Sequence, residues 1–173
     1  MKNKFSQTIS TVSIISLIVL IQLSFAHATK PEGTPVTLYF WSSIGSADYV
    51  EVNKIRFGTI TNFGTMGPGS TISGDFVWSE TSIAKYISDS LVELQFTRHF
   101  IEMVITGNIG SKSGTITIDA DVYITHSYDP PSYDKVRGTW KIVSGTGDFA
   151  ELKGKGELTW WEIYQFDGII YGL

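Results

Sequence analysis

The sequence predicts an all-β protein, an antiparallel closed barrel of about eight strands, and three observations carry that expectation. Runs rich in Thr, Ile, Val, Tyr, Phe and Trp recur along most of the 173 residues, and such residues suit the pleated, half-buried surface of a strand. The 17 glycines fall mostly between those runs, where they read as turns. One run, Thr115–Thr125, alternates without a break. Ile116, Ile118, Ala120, Val122 and Ile124 take one side and Thr115, Thr117, Asp119, Asp121 and Tyr123 the other, the period of a strand with one buried face.

The chain divides into three parts: 1–28, 29–35 and 36–173. Lys2 and Lys4 precede an apolar stretch, Val12 to Phe25, and Ala26-His27-Ala28 places small residues at the positions of an A-x-A cleavage site. That order is the pattern of a secretory signal peptide, which predicts a secreted or extracytoplasmic protein. Retention of the same stretch as a membrane anchor is the alternative, because its length approaches what spans a bilayer. With cleavage, no stable membrane span remains. Residues 29–35 read as a flexible lead-in, and 36–173 as the barrel domain.

Within that domain, Val36–Trp41 is a first strand and Ser42–Asp48 a loop. A turn at Asn53 leads to a strand over Lys54–Thr61, and Asn62–Gly69, with three glycines and a proline, reads as a loop. Thr71–Ser79 is extended, Ile72, Phe76 and Trp78 sharing a parity that Gly74 interrupts at a bulge or bend. Ile83, Tyr86, Ile87, Leu91 and Leu94 recur at helical spacing, which predicts one short helix near 82–92; a loop running into a strand is the alternative. A long strand follows over Leu91–Thr106, with a kink near Phe100 that exchanges its faces. After Thr115–Thr125, the segment His126–Arg137 is a loop, and Gly138–Ser144, Glu157–Phe166 and Ile169–Tyr171 complete the set.

Composition excludes several chemistries. There is no cysteine, hence no lipoprotein anchor, disulfide, thiolate metal site or thiol nucleophile. Loss of Lys2 and Lys4 with the signal moves the formal charge from −4 to −6, and an acidic domain repels phosphate backbones, so nucleic acid is not an expected partner. Only His99 and His126 follow residue 28, too few for a multi-histidine metal site. Asp119, Asp121, Asp129 and Asp134 lack calcium-loop spacing and read as solvated charges. No metal and no cofactor is expected.

The segment Gly145-Thr-Gly147-Asp-Phe149-Ala150 matches G-x-G-x-x-A, but Gly154 and Gly156 forbid the helix that a dinucleotide site needs. It reads as a strand-to-strand turn. In its setting, Gly138-Thr-Trp140-Lys-Ile-Val-Ser-Gly145-Thr-Gly147-Asp-Phe149-Ala-Glu-Leu152-Lys-Gly154-Lys-Gly156 resembles the signature near the C-terminal end of allene oxide cyclase-like barrels. It is most similar to a bacterial domain family of unknown function that carries this turn after a tryptophan strand. Gly107-Asn-Ile-Gly110-Ser-Lys-Ser113-Gly114-Thr-Ile-Thr-Ile resembles the same family's glycine-rich turn and following strand. The resemblance covers residues 107–160. It implies an antiparallel barrel with a largely apolar cavity, oligomeric in many relatives, and carries over no catalytic residue.

Candidate site residues follow from side-chain type. Arg98, His99 and Glu102 are the candidates for polar groups of a cavity, His99 as an acid or base. Phe96, Phe100, Trp140 and Trp160 are the candidates for holding an apolar ligand. No nucleophile elbow or phosphate-binding loop is present, and Glu157 with Glu162 makes a poor glycosidase pair because their parities differ. Three functions remain: a non-catalytic binding module for a small hydrophobic molecule, a cyclase-like or stereo-directing enzyme, and a structural homo-oligomer.

Overall fold

The computed structural model describes residues 32–87, 94–126, 135–161 and 163–173. Eight strands account for nearly all of them: β1 (Thr34–Val52), β2 (Ile55–Met66), β3 (Ser73–Tyr86), β4 (Leu94–Ile109), β5 (Lys112–Thr125), β6 (Lys135–Gly147), β7 (Lys153–Trp161) and β8 (Ile163–Tyr171). Each pairs antiparallel with the next, and β8 returns to β1 to close a barrel. The 1–28 segment read as a signal peptide lies outside the described residues, as do Asp129 and Asp134.

Inward parity is uniform along each central strand. On β5 the predicted set, Ile116, Ile118, Ala120, Val122 and Ile124, is buried. Phe76 and Trp78 of β3, Ile101, Met103 and Ile105 of β4, and Val36, Leu38 and Phe40 of β1 join it. An eight-stranded barrel has an interior that side chains can fill, and here aromatics fill the middle. Phe40 meets Phe76 and Phe166 at ring-centroid distances of 5.3 and 4.9 Å, and Phe76 lies 5.8 Å from Trp78. Phe149 and Leu152, in the turn after β6, are buried in the same cluster and close that end.

The structure corrects several expectations. No helix occurs among the described residues. Ser82–Tyr86 belongs to β3, where Ser82 pairs with Gly58 on one side and His99 on the other, and Lys85 pairs with Ile55 and Phe96. Two ladders of hydrogen bonds outweigh a helical stripe of apolar residues. Residues 88–93 of the same stretch lie outside the described residues. β1 begins at Thr34 and takes in Ser42–Asp48.

Asn62–Met66 is strand, not loop. Gly64 sits there for close approach rather than for a turn, since a Cβ on it would lie 1.9 Å from the Trp41 carbonyl oxygen. β4 has no kink at Phe100: its register with β5 runs unbroken from Phe96 to Ile109. The apolar pattern misleads because the upper inner wall of β4 is polar, which puts Phe96 and Phe100 outside. Glu157–Phe166 is a hairpin rather than one strand, Leu158 pairing with Phe166 and Trp161 with Ile163.

Candidate functional site

Two surfaces carry chemistry, one on each side of the same wall. The first is inside. Moving along the inward parity of β3, Phe76 and Trp78 give way to Glu80 and Ser82, and along β4, Ile105, Met103 and Ile101 give way to His99 and Thr97. Glu80, Ser82 and Thr97 are all buried, as is Asn62 on β2. A buried carboxylate needs partners, and Glu80 has one: its Oε1 lies 2.7 Å from His99 Nδ1. His99 Nε2 in turn lies 3.0 Å from Thr97 Oγ1.

The roles follow from donor chemistry. A carboxylate only accepts, so Nδ1–H donates to Glu80, and in the neutral imidazole Nε2 accepts from the Thr97 hydroxyl. The result is a hydroxyl, imidazole and carboxylate in series, an arrangement that orients a base. Nearby, the Arg56 guanidinium is bonded to Glu51 and stacks on the rings of Tyr49 and Tyr86, at 5.4 and 5.2 Å from their centroids. The Glu51 hydrogen bond raises the Arg56 pKa above its ordinary value. Deeper on the same face, Asn62 Oδ1 is buried without a hydrogen-bond partner among the described residues.

The second surface is outside. The outer face of β3 to β8 is concave, a trough of about 1210 Å³ lined by Phe100, Glu102, Lys141, Lys155, Glu157 and Ile169 among others. A smaller hollow of about 590 Å³, lined by Phe96, Arg98, Tyr123 and Arg137, shares Asp121 and Thr139 with it. A barrel wall is ordinarily convex outward, and glycine explains the exception. Gly156 pairs with Gly168 across β7 and β8, and a Cβ on Gly168 would lie 2.5 Å from the Trp140 ring. Without inward side chains to hold it away, that part of the wall settles onto Trp140 and dips.

Trp140 is fixed from behind, its Nε1–H donating to the Asp167 carbonyl at 3.0 Å. The Asp167 carboxylate accepts from Thr37 Oγ1 and Gln165 Nε2, both at 2.7 Å. On the opposite bank Arg98 makes two hydrogen bonds to Asp121, at 3.0 and 2.7 Å, and lies 4.5 Å above the Phe100 ring. The guanidinium holds the Asp121 carboxyl below the usual carboxylate range. Asp119 lies 3.9 Å from Lys141.

The sequence candidates therefore separate. Phe100 and Glu102 line the trough, Trp140 lies buried in the core beneath its floor, and Phe96 and Arg98 line the smaller hollow. His99 is on the inner face, joined to Glu80 and Thr97. Trp160 is described by its register alone, opposite Tyr164. Sequence reasoning missed Glu80, Thr97 and Asn62. The signal for Glu80 was present: it shares the inward parity of Phe76 and Trp78, so a carboxylate facing the core was legible two residues beyond the tryptophan. Asn62 fell in a presumed loop. Comparison with protein-family models, curated proteins and solved structures finds no match to this chain.

Proposed function

We propose that the protein is an exported, non-catalytic binding module that holds a small, largely apolar molecule in the outer trough. The observation that carries this reading is the trough itself. It has more than the room that small-molecule sites take up, in a barrel whose middle is filled by aromatics. Phe100 and Ile169 offer apolar contact from opposite banks, both partly exposed. Glu102, Glu157 and Lys155 stand along it with no ion-pair partner among the described residues, so polar substituents of a ligand would find unspent charges of both signs. Export rests on the N-terminal charge and hydropathy pattern; the interior cavity that the resemblance to allene oxide cyclase-like barrels implies is filled here by aromatic side chains, so the ligand-holding role rests on the trough.

The enzyme reading is favoured by a different observation, the Glu80–His99–Thr97 series. One experiment separates the two. Protein purified from its own host is weighed by native mass spectrometry before and after organic extraction, and the extracted molecule is then returned to it. Binding at the trough predicts an extra mass that leaves on extraction, is recovered unchanged after incubation, and binds Phe100→Ala about ten- to a hundredfold more weakly, the effect of losing one partly buried aromatic contact. A molecule recovered chemically altered favours the enzyme. No bound mass, or undiminished binding by Phe100→Ala, removes the trough reading.

A further inference from the structure

The strand register sets like charges against each other on the wall of the trough. Residues directly opposite in an antiparallel pair bring their side chains close together, and like charges there are unfavourable. Three such pairs occur among the described residues: Glu102 faces Asp119 across β4 and β5, Lys141 faces Lys155 across β6 and β7, and Glu157 faces Asp167 across β7 and β8. All six residues line the trough. Outside it, the one facing pair of charges among the described residues, Glu51 with Arg56, is of opposite sign.

The chain's own contacts relieve little of this. Asp119 and Lys141 approach to 3.9 Å. Asp167 accepts from Thr37 Oγ1 and Gln165 Nε2, which fix its carboxylate without neutralising it. Lys155 and Glu157 are exposed, with neither an ion pair nor a side-chain hydrogen bond among the described residues. Places where a sequence breaks a local rule with no compensating contact of its own are expected at functional sites, and here a ligand can supply the missing partners.

We propose that the molecule held in the trough is an apolar zwitterion, its ammonium group seated between Glu157 and Asp167 and its anionic group, a carboxylate in the simplest case, between Lys141 and Lys155. This inference rests on the trough reading and names the class of ligand the trough takes. The two seats are neighbours. Their midpoints differ by one strand spacing and two residues, about 4.8 Å by about 6.6 Å, so the two charges of the ligand stand about 8 Å apart. Ile169 faces Lys155 and follows Asp167 by two residues, which puts an exposed apolar side chain beside both seats. A simple cation or a simple anion satisfies one pair and is left beside the other. A divalent metal ion is the less suitable occupant of the acidic seat, because no group of three or more acidic or histidine side chains among the described residues can hold one, and Lys155 stands two residues from Glu157.

The test presents purified protein with one apolar body in four charge states: leucyl-phenylalanine, whose two residues span about 7 Å when extended, its N-acetyl derivative, its C-terminal amide, and the form blocked at both ends. Calorimetric titration is expected to rank the free dipeptide first. Acetylation and amidation should each weaken it roughly two- to thirtyfold, since each removes the ligand charge that two partly exposed side chains meet. Glu157→Gln, at an exposed position, is expected to diminish the effect of acetylation and keep that of amidation; Lys155→Gln, also exposed, should do the reverse. Four forms that bind alike, or substitutions that change both effects together, overturn the zwitterion, and if Phe100→Ala still weakens all four the trough reading stands without it. No binding by any form overturns the zwitterion as well, and the trough reading then stands or falls on the mass recovered by extraction.

Discussion

The two ends of the barrel interior are built on the same strands, in the same inward parity, from opposite chemistries. At one end β3 and β4 contribute Phe76, Trp78, Met103 and Ile105, packed on Phe40 and Phe166. A few residues along, the same strands contribute Glu80, Ser82, Thr97 and His99. Burial of apolar area stabilises whatever its direction, whereas buried polar groups break even only when each finds its partner. The apolar end is therefore where the free energy of folding resides. The polar end is where geometry is specified at little net gain, the condition expected of residues retained for something other than stability.

The largest effect that could break this comparison is at the apolar end. Phe166 is fully buried between Phe40 and Trp140. Phe166→Ala is expected to cost about 3–5 kcal/mol, read as a shift of the urea midpoint at unchanged slope. A loss of no more than about 0.5 kcal/mol, the size of an ordinary surface substitution, would mean that this end is not the core.

At the polar end two variants sharpen the contrast. Glu80→Ala leaves His99 Nδ1–H without its acceptor, and is expected to cost about 1–3 kcal/mol, the penalty of an orphaned buried donor. The triple variant Glu80→Leu, Thr97→Val and His99→Leu removes every member of the series and is expected to recover most of that loss, because none of the three is then left as a stranded polar group. If the triple variant is instead the less stable of the two, the series is a structural asset and the distinction between the ends fails.

The same contrast explains what the sequence made legible. β5 was readable residue by residue because its inward face is apolar throughout, so that periodicity and burial agree. β4 was misread because its inward face changes chemistry halfway. Hydropathy follows Phe96 and Phe100 outward while the ladder holds Thr97 and His99 inward. Gly64 reads as part of a loop because glycine's two uses, left-handed backbone and close approach, look alike in a sequence; only the Trp41 carbonyl beside it decides. The trough had no sequence signal as a whole, since it depends on Gly156 and Gly168 meeting across a hairpin that the sequence reading did not resolve. Its members Phe100 and Glu102 were legible only as residue types.

The smallest effect belongs to the outer counterpart of the buried pair. Arg98 and Asp121 are each nearly half exposed, on the face of β4 and β5 opposite His99. The hydrogen bond from Arg98, with its charge, lowers the Asp121 pKa against a weaker opposing effect of desolvation. A carboxyl whose folded pKa lies below its unfolded value contributes stability that is present above the unfolded pKa and is lost as pH falls through the folded one. Asp121→Asn is therefore expected to lower stability at neutral pH and to leave it unchanged at the acid end, flattening the pH dependence of the urea midpoint below the ordinary aspartate range. Water and salt screen a pair this exposed, so the difference between wild type and variant should shrink on adding salt, while the cost of Glu80→Ala should not. Equal salt sensitivity of the two would mean that the inner pair is as open to solvent as the outer one, and that the wall does not separate two environments.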